Sequence, residues 1–143
     1  MKKTEIRNRN NNLSGTRVKI LAVDDEKSTI DALRISLESE NYEVLEAYTG
    51  DGAIKKAGSV PLDLILLDIM LPDITGYEIC NRLKKNPNTR SVPIIMLTGM
   101  SSASDKMAGL DMGADDYITK PFDQNELKVK IRIALQRSIS RRK

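Results

Sequence analysis

Five short apolar runs, each followed by a polar turn or a helical pattern, constrain this 143-residue chain more than any other feature. Val18 to Val23 is apolar and ends in Asp24-Asp25. Residues 27–40 then carry Ile30, Leu33 and Leu37 at spacings of three and four, the signature of one helix face. Val44 to Tyr48 predicts a second strand, with a turn at Gly50 and a short helix over 51–58. Leu62 to Leu67 is the most apolar run and stops at Asp68, ahead of a helix over Gly76 to Lys85. Pro93 to Leu97 predicts a fourth strand ending at Thr98, then a helix over 102–112 stopped by Gly113. Tyr117 to Thr119 predicts a fifth, followed by Lys120-Pro121 and a last helix opened by Asp123, with Glu126 as its capping-box partner.

Strands alternating with helices imply an α/β doubly wound parallel sheet of five strands with five helices. The unbroken run Leu64-Ile65-Leu66-Leu67 suits a strand buried on both faces. The pattern divides the chain into a disordered tail over 1–16, one domain over 17–137, and a basic tail or linker start over 138–143. With 40% hydrophobic residues the domain can bury a core. The net charge of +3 resides in the ends, at Lys2, Lys3, Arg7 and Arg9 and at Arg137, Arg141, Arg142 and Lys143, leaving the body acidic. This argues for solvated tails over a nucleic-acid surface.

Residues that are missing also narrow the chemistry. With no histidine there is no Ser-His-Asp triad, no His-ligated zinc and no phosphohistidine of the chain's own. The single cysteine, Cys80, excludes an internal disulfide and fits a helix packing position. No apolar run is long enough to span a membrane or to act as a secretory signal, so the expected location is the cytoplasm, with no membrane partner.

In open parallel sheets, ligands bind at the carboxyl ends of the strands. Here those ends carry Asp24, Asp25, Asp68, Thr98 and Lys120. Carboxylates about 4 Å apart at an effective dielectric of about 20 repel by roughly 4 kcal/mol per pair. Either one is protonated or a cation offsets the repulsion, and all-oxygen ligands favour Mg²⁺, with Mn²⁺ as a substitute. A carboxylate can act as a nucleophile toward phosphorus, and cations and hydroxyls then stabilise the phosphoryl oxygens. Blander roles stay open for some of these residues. Asp25 suits a helix cap, Thr98 an ordinary strand end and Tyr117 a fixed core aromatic. Asp68 has none, because a carboxylate ending an apolar strand is costly unless paired.

Four segments, in order, resemble the receiver domain of bacterial two-component response regulators. They are Val23-Asp24-Asp25-Glu26, Leu67-Asp68-Ile69-Met70-Leu71-Pro72-Asp73-Ile74-Thr75-Gly76, Met96-Leu97-Thr98-Gly99, and Gly113-Ala114-Asp115-Asp116-Tyr117-Ile118-Thr119-Lys120-Pro121-Phe122. The resemblance implies a flavodoxin/CheY-like strand order of 2-1-3-4-5. Asp68 would be the phosphoacceptor, and Asp24, Asp25, Asp68 and the Met70 backbone carbonyl the magnesium ligands. Thr98 and Lys120 would meet the phosphoryl oxygens, with Thr98 and Tyr117 as the switch pair, and Lys120-Pro121 would be cis.

The same resemblance implies a sensor histidine kinase or histidine phosphotransfer protein as donor, and a separate downstream effector. It makes the chain a signalling module and not an enzyme, though one that assists its own phosphorylation and dephosphorylation. Asp116, Glu126, Lys130 and Arg137 would form cross-subunit pairs if phosphorylation produces a homodimer; a solvated charged face is the competing reading. Met70 and Met100 stand two residues after Asp68 and Thr98, where neither side chain can orient a water strongly, so self-dephosphorylation is expected to be slow. The loop Asn86-Pro87-Asn88-Thr89-Arg90 resembles receivers attached to cyclic-dinucleotide enzymes or hybrid kinases. A dehalogenase-type phosphohydrolase would want an Asp where Glu26 stands. No segment supplies a DNA recognition helix, so direct nucleic-acid binding is not expected unless the chain is the N-terminal part of a longer regulator with an enzymatic or DNA-binding output domain.

Overall fold

The computed structural model describes residues 17–99 and 113–142. Among them the chain alternates β1 (Lys19–Val23), α1 (Lys27–Glu38), β2 (Glu43–Ala47), α2 (Gly50–Ser59), β3 (Leu64–Asp68), α3 (Gly76–Lys85), β4 (Ile94–Thr98), β5 (Asp116–Thr119) and α4 (Gln124–Arg142). The strands form one parallel sheet of order β2-β1-β3-β4-β5, the expected 2-1-3-4-5. Among the described residues, five strands and four helices are therefore present. The helix expected over 102–112 lies outside the described residues.

Side-chain alternation along the strands divides the core between the two faces of the sheet. Leu21, Val23, Ile65, Leu67, Ile94 and Met96 face α2 and α3, where Ala53, Ala57, Ile79, Cys80 and Leu83 cover them. Ile20, Ala22, Leu64, Leu66, Ile95, Leu97 and Ile118 face α1 and α4, where Ile30, Leu33, Leu37, Leu127, Ile131 and Ala134 cover them. β3 is buried along its whole length, as its unbroken apolar sequence requires. Cys80 packs in the first layer, where burial pushes its thiol up to about 11, so it stays protonated and inert near neutral pH.

Local chemistry explains where several elements begin and end. α1 stops at Glu38, short of residue 40, because Asn41 takes a left-handed conformation (φ 66°) that breaks the helical run. β3 starts at Leu64 and not Leu62, since Asp63 is used to clasp β1: its carboxylate accepts from the Lys19 N–H at 2.8 Å. Thr49 caps α2 by accepting from the Gly52 N–H, and Thr75 caps α3 by accepting from the Glu78 N–H. Asp123 accepts from the Glu126 N–H at 3.2 Å, but the Glu126 carboxylate pairs with Lys130 instead of completing a capping box. α4 runs to Arg142, further than the apolar pattern sets its end. The Lys120–Pro121 peptide bond is cis.

Candidate functional site

The topology brings the chemically distinctive residues to one edge of the sheet. Asp24 follows β1, Asp68 ends β3, Thr98 ends β4 and Lys120 follows β5. Strand parity sorts them further. Asp24, Asp68 and Lys120 each stand two residues beyond a member of the α1/α4-facing core, at Ala22, Leu66 and Ile118. Thr98 stands two beyond Met96, on the opposite face, and Tyr117 pairs with Met96 in register and packs on that same layer.

The parity is reflected in the contacts. Lys120 Nζ lies 2.7 Å from an Asp24 carboxylate oxygen and 3.4 Å from Asp68 Oδ1. Asp24 is fully buried and Asp68 is 5% exposed. One oxygen from each of Asp24, Asp25 and Asp68 falls within 4.8 Å of the others. The other Asp24 oxygen accepts from the Glu26 N–H at 2.9 Å, fixing the turn into α1. Asp25 is not the helix cap; Glu26 holds that position, without a side-chain bond, and the Asp25 carboxylate is exposed beside the cluster.

Electrostatics at the edge are strained in one direction. Burial first, and the charge of Asp24 second, raise the Asp68 carboxyl above its ordinary range, against the pull of Lys120 and the Met70 N–H. Burial opposes the charge on Lys120, yet the hydrogen bond to Asp24 and the two carboxylate charges prevail and hold the ammonium above its ordinary value. Three carboxylates against one ammonium leave net negative charge in a partly dry pocket. The donors are all oxygen, so the group fits a hard divalent cation.

The Met70 N–H donates to Asp68 Oδ1 at 3.3 Å, while the Met70 side chain is 62% exposed. Thr98 is 2% exposed. The Tyr117 ring lies beneath Lys130, whose Nζ is 4.7 Å from the ring centroid and donates to the Tyr117 carbonyl at 2.8 Å. Lys130 also pairs with Asp116 at 3.5 Å and Glu126 at 3.2 Å, so three of the four charged residues expected at an interface meet within one chain. Arg137 is exposed two turns further along α4. Met100 lies outside the described residues.

One site feature escapes a motif-based reading. Asp73 Oδ1 and Oδ2 accept from the Gly50 and Asp51 N–H groups at 2.8 and 2.9 Å, tying the loop after β3 to the start of α2. Its only sequence signal is a carboxylate in a turn, and its partners are more than twenty residues away.

An open sheet of order 2-1-3-4-5, with an acidic cluster and one lysine at its carboxyl edge, defines the CheY-like class of signalling domains. The chain belongs to the response regulator receiver domain family, whose model matches residues 20–132. It is 50% identical over 119 residues to the response regulator ArlR of Staphylococcus saprophyticus, covering 83% of this chain and 53% of that protein. It is 44% identical over 120 residues to the alkaline phosphatase synthesis transcriptional regulatory protein PhoP of Bacillus subtilis, covering 84% and 49%. The chain thus spans about half the length of these curated relatives.

Among solved structures, a putative response regulator from Chloroflexus aurantiacus superposes with a TM-score of 0.82 at 35% identity, covering 85% of this chain and 99% of that one. The Vibrio cholerae chemotaxis protein CheY4 superposes with a TM-score of 0.79 at 31% identity, covering 83% and 99%. The chain is a receiver domain of two-component signalling, a signalling protein and not a conventional enzyme. Among the described residues, no helix is long and apolar enough to cross a membrane.

Proposed function

We propose that Asp68 accepts a phosphoryl group from the histidine of a partner kinase or phosphotransfer protein. The observation that carries this reading is the meeting of Asp24, Asp25 and Asp68 within 4.8 Å, with Lys120 drawn into the group. In the transfer, an Asp68 oxygen bonds to phosphorus as the phosphorus–nitrogen bond breaks, and the donor imidazole keeps the bonding pair. Asp24, Asp25, Asp68 and the Met70 carbonyl would hold Mg²⁺, or Mn²⁺ in its place. The bound ion supplies positive charge against the carboxylates and the incoming oxygens. Lys120 donates to a phosphoryl oxygen, and Thr98 donates its hydroxyl to another.

Incubation with acetyl phosphate and Mg²⁺ is expected to add the mass of one phosphoryl group, and Asp68→Asn or a chelator is expected to prevent it. An unchanged wild-type mass, or full labelling of Asp68→Asn, would overturn the assignment.

Thr98 and Tyr117 form the switch pair in this reading, supported by their shared face of the sheet and adjoining strands. Their movement reshapes the surface of β5 and α4, together with the helix expected over 102–112. That surface then meets a downstream effector, or a second copy through Asp116, Glu126, Lys130 and Arg137. The domain works in the cytoplasm without itself touching nucleic acid or membrane. The exposed thioether of Met70, with Met100, leaves an attacking water poorly oriented, so the phosphorylated form should outlast the timescale of seconds. A lifetime of seconds that Met100→Glu lengthens would count against this; radiolabel decay measures it.

A second reading, an N-terminal part of a longer regulator with an enzymatic or DNA-binding output domain, is favoured by the chain's spanning only about half of its curated relatives. Sequencing the natural reading frame beyond Lys143 decides it.

A further inference from the structure

The loop between β3 and α3 is held at both its base and its tip. At the base, the Gly76 N–H donates to the Ile69 carbonyl at 2.8 Å. Gly76 lies so close to this backbone that a Cβ there would be 2.6 Å from the Asp68 carbonyl oxygen. At the tip, both Asp73 oxygens grip consecutive N–H groups of α2. Beside them, Ile74 occupies the space where a Gly50 side chain would go. Thr49 caps the next N–H of the same helix, at Gly52, from α2's own side. α2 therefore starts with two caps, one local and one delivered by the loop. The Asp73 carboxyl is held below its ordinary range by the Gly50 and Asp51 N–H groups, so the grip persists near neutral pH.

Met70 stands inside this clamped loop, with its N–H on Asp68. We infer that Asp73 is a positioning residue for cation binding, holding the loop so that Met70 and Asp68 keep one arrangement toward the ion. The inference rests on the reading of the carboxylate cluster as a magnesium site with the Met70 carbonyl among its ligands. Groups that orient ligands without touching the metal commonly set affinity by one to two orders of magnitude. Helix capping alone would affect stability and leave the cation untouched.

The test is a Mg²⁺ titration of the full chain, followed by calorimetry and by amide shifts of Asp68 and Met70. The variants are Asp73→Ala, the milder Asp73→Asn and the control Thr49→Ala, which uncaps the same helix without releasing the loop. Asp73→Ala is expected to weaken Mg²⁺ binding about tenfold. Asp73→Asn, which keeps one acceptor oxygen, should weaken it less, and Thr49→Ala should lower Tm with unchanged affinity. If Asp73→Ala fails to fold, Asp73→Asn against Thr49→Ala carries the comparison. Unchanged affinity in the Asp73 variants, or an equal loss in Thr49→Ala, overturns the inference while the magnesium site stands. Failure of the wild type to bind Mg²⁺ removes the site and this inference together.

Discussion

Lys120→Met is expected to lower stability by about 2–3 kcal/mol at neutral pH in the absence of divalent cation. Methionine keeps the length and bulk of the lysine stem, so the loss isolates the charge. Without the ammonium, the fully buried Asp24 keeps its bond from the Glu26 N–H but loses its counter-charge 2.7 Å away. Breaking a fully buried pair costs about 3–5 kcal/mol, and this one falls below that range because the lysine side chain is 23% exposed to water.

The pH dependence has a definite sign. The folded Asp68 carboxyl already lies above its ordinary range, so the folded state holds that proton more tightly than the unfolded chain. That contribution is complete below the ordinary carboxylate range and is lost as pH rises through the raised value. Removing Lys120 raises Asp68 further. The deficit of the variant should therefore be greatest at neutral pH and shrink on mild acidification, and Mg²⁺ should reduce it. Urea unfolding at the two pH values, with and without Mg²⁺, measures all three effects; a deficit that grows on acidification would contradict this account. If Lys120 is the proposed donor to the phosphoryl oxygens, labelling by acetyl phosphate should slow on the order of 10²-fold.

Gly76→Ala is expected to destabilise the fold by about 2 kcal/mol, or roughly 8 °C in Tm. Two effects compete at this position, the first of helix α3. Alanine restricts the unfolded chain and favours helix, which would stabilise by about 0.4–1 kcal/mol. The new Cβ, however, would stand 2.6 Å from the Asp68 carbonyl oxygen and 2.8 Å from the Ile69 Cα. Both are backbone atoms, so no side chain can rotate aside, and the clash prevails. Gly58 in α2 supplies the contrast, because a Cβ there meets nothing within 4 Å. Gly58→Ala should stabilise by about 0.5–1 kcal/mol. Equal effects at the two glycines in thermal melts would show that backbone crowding at Asp68 has been overstated.

The local chemistry of the chain made some of this legible and hid the rest. Ile30, Leu33 and Leu37, or the run Leu64 to Leu67, announce burial through their own periodicity, so strands and helix faces could be placed within a residue or two. The carboxylates at the strand ends were likewise visible, because a parallel sheet delivers those ends to one edge. Contacts made across the fold were not visible. Asp73 looks like any turn aspartate until α2 is placed beside it, and Asp63 looks like a strand residue until β1 claims its carboxylate. For Lys130, Asp116 and Glu126 the sequence left a cross-subunit pairing and a solvated charged face both open, and within one chain β5 lies close enough for them to meet. Such pairs are individually weak, so sequence alone gives little basis for choosing between the two arrangements.

The division of the core by strand parity has a consequence for how a signal could travel. Among the described residues the sheet works as a partition, with a separate cluster of buried side chains on each side. The carboxyl edge is where the partition ends. There Asp24, Asp68 and Lys120 belong to one room, and Thr98 and Tyr117 to the other. In the proposed reading, a phosphoryl group on Asp68 would reach the far side of the sheet through the Thr98 hydroxyl, at that doorway.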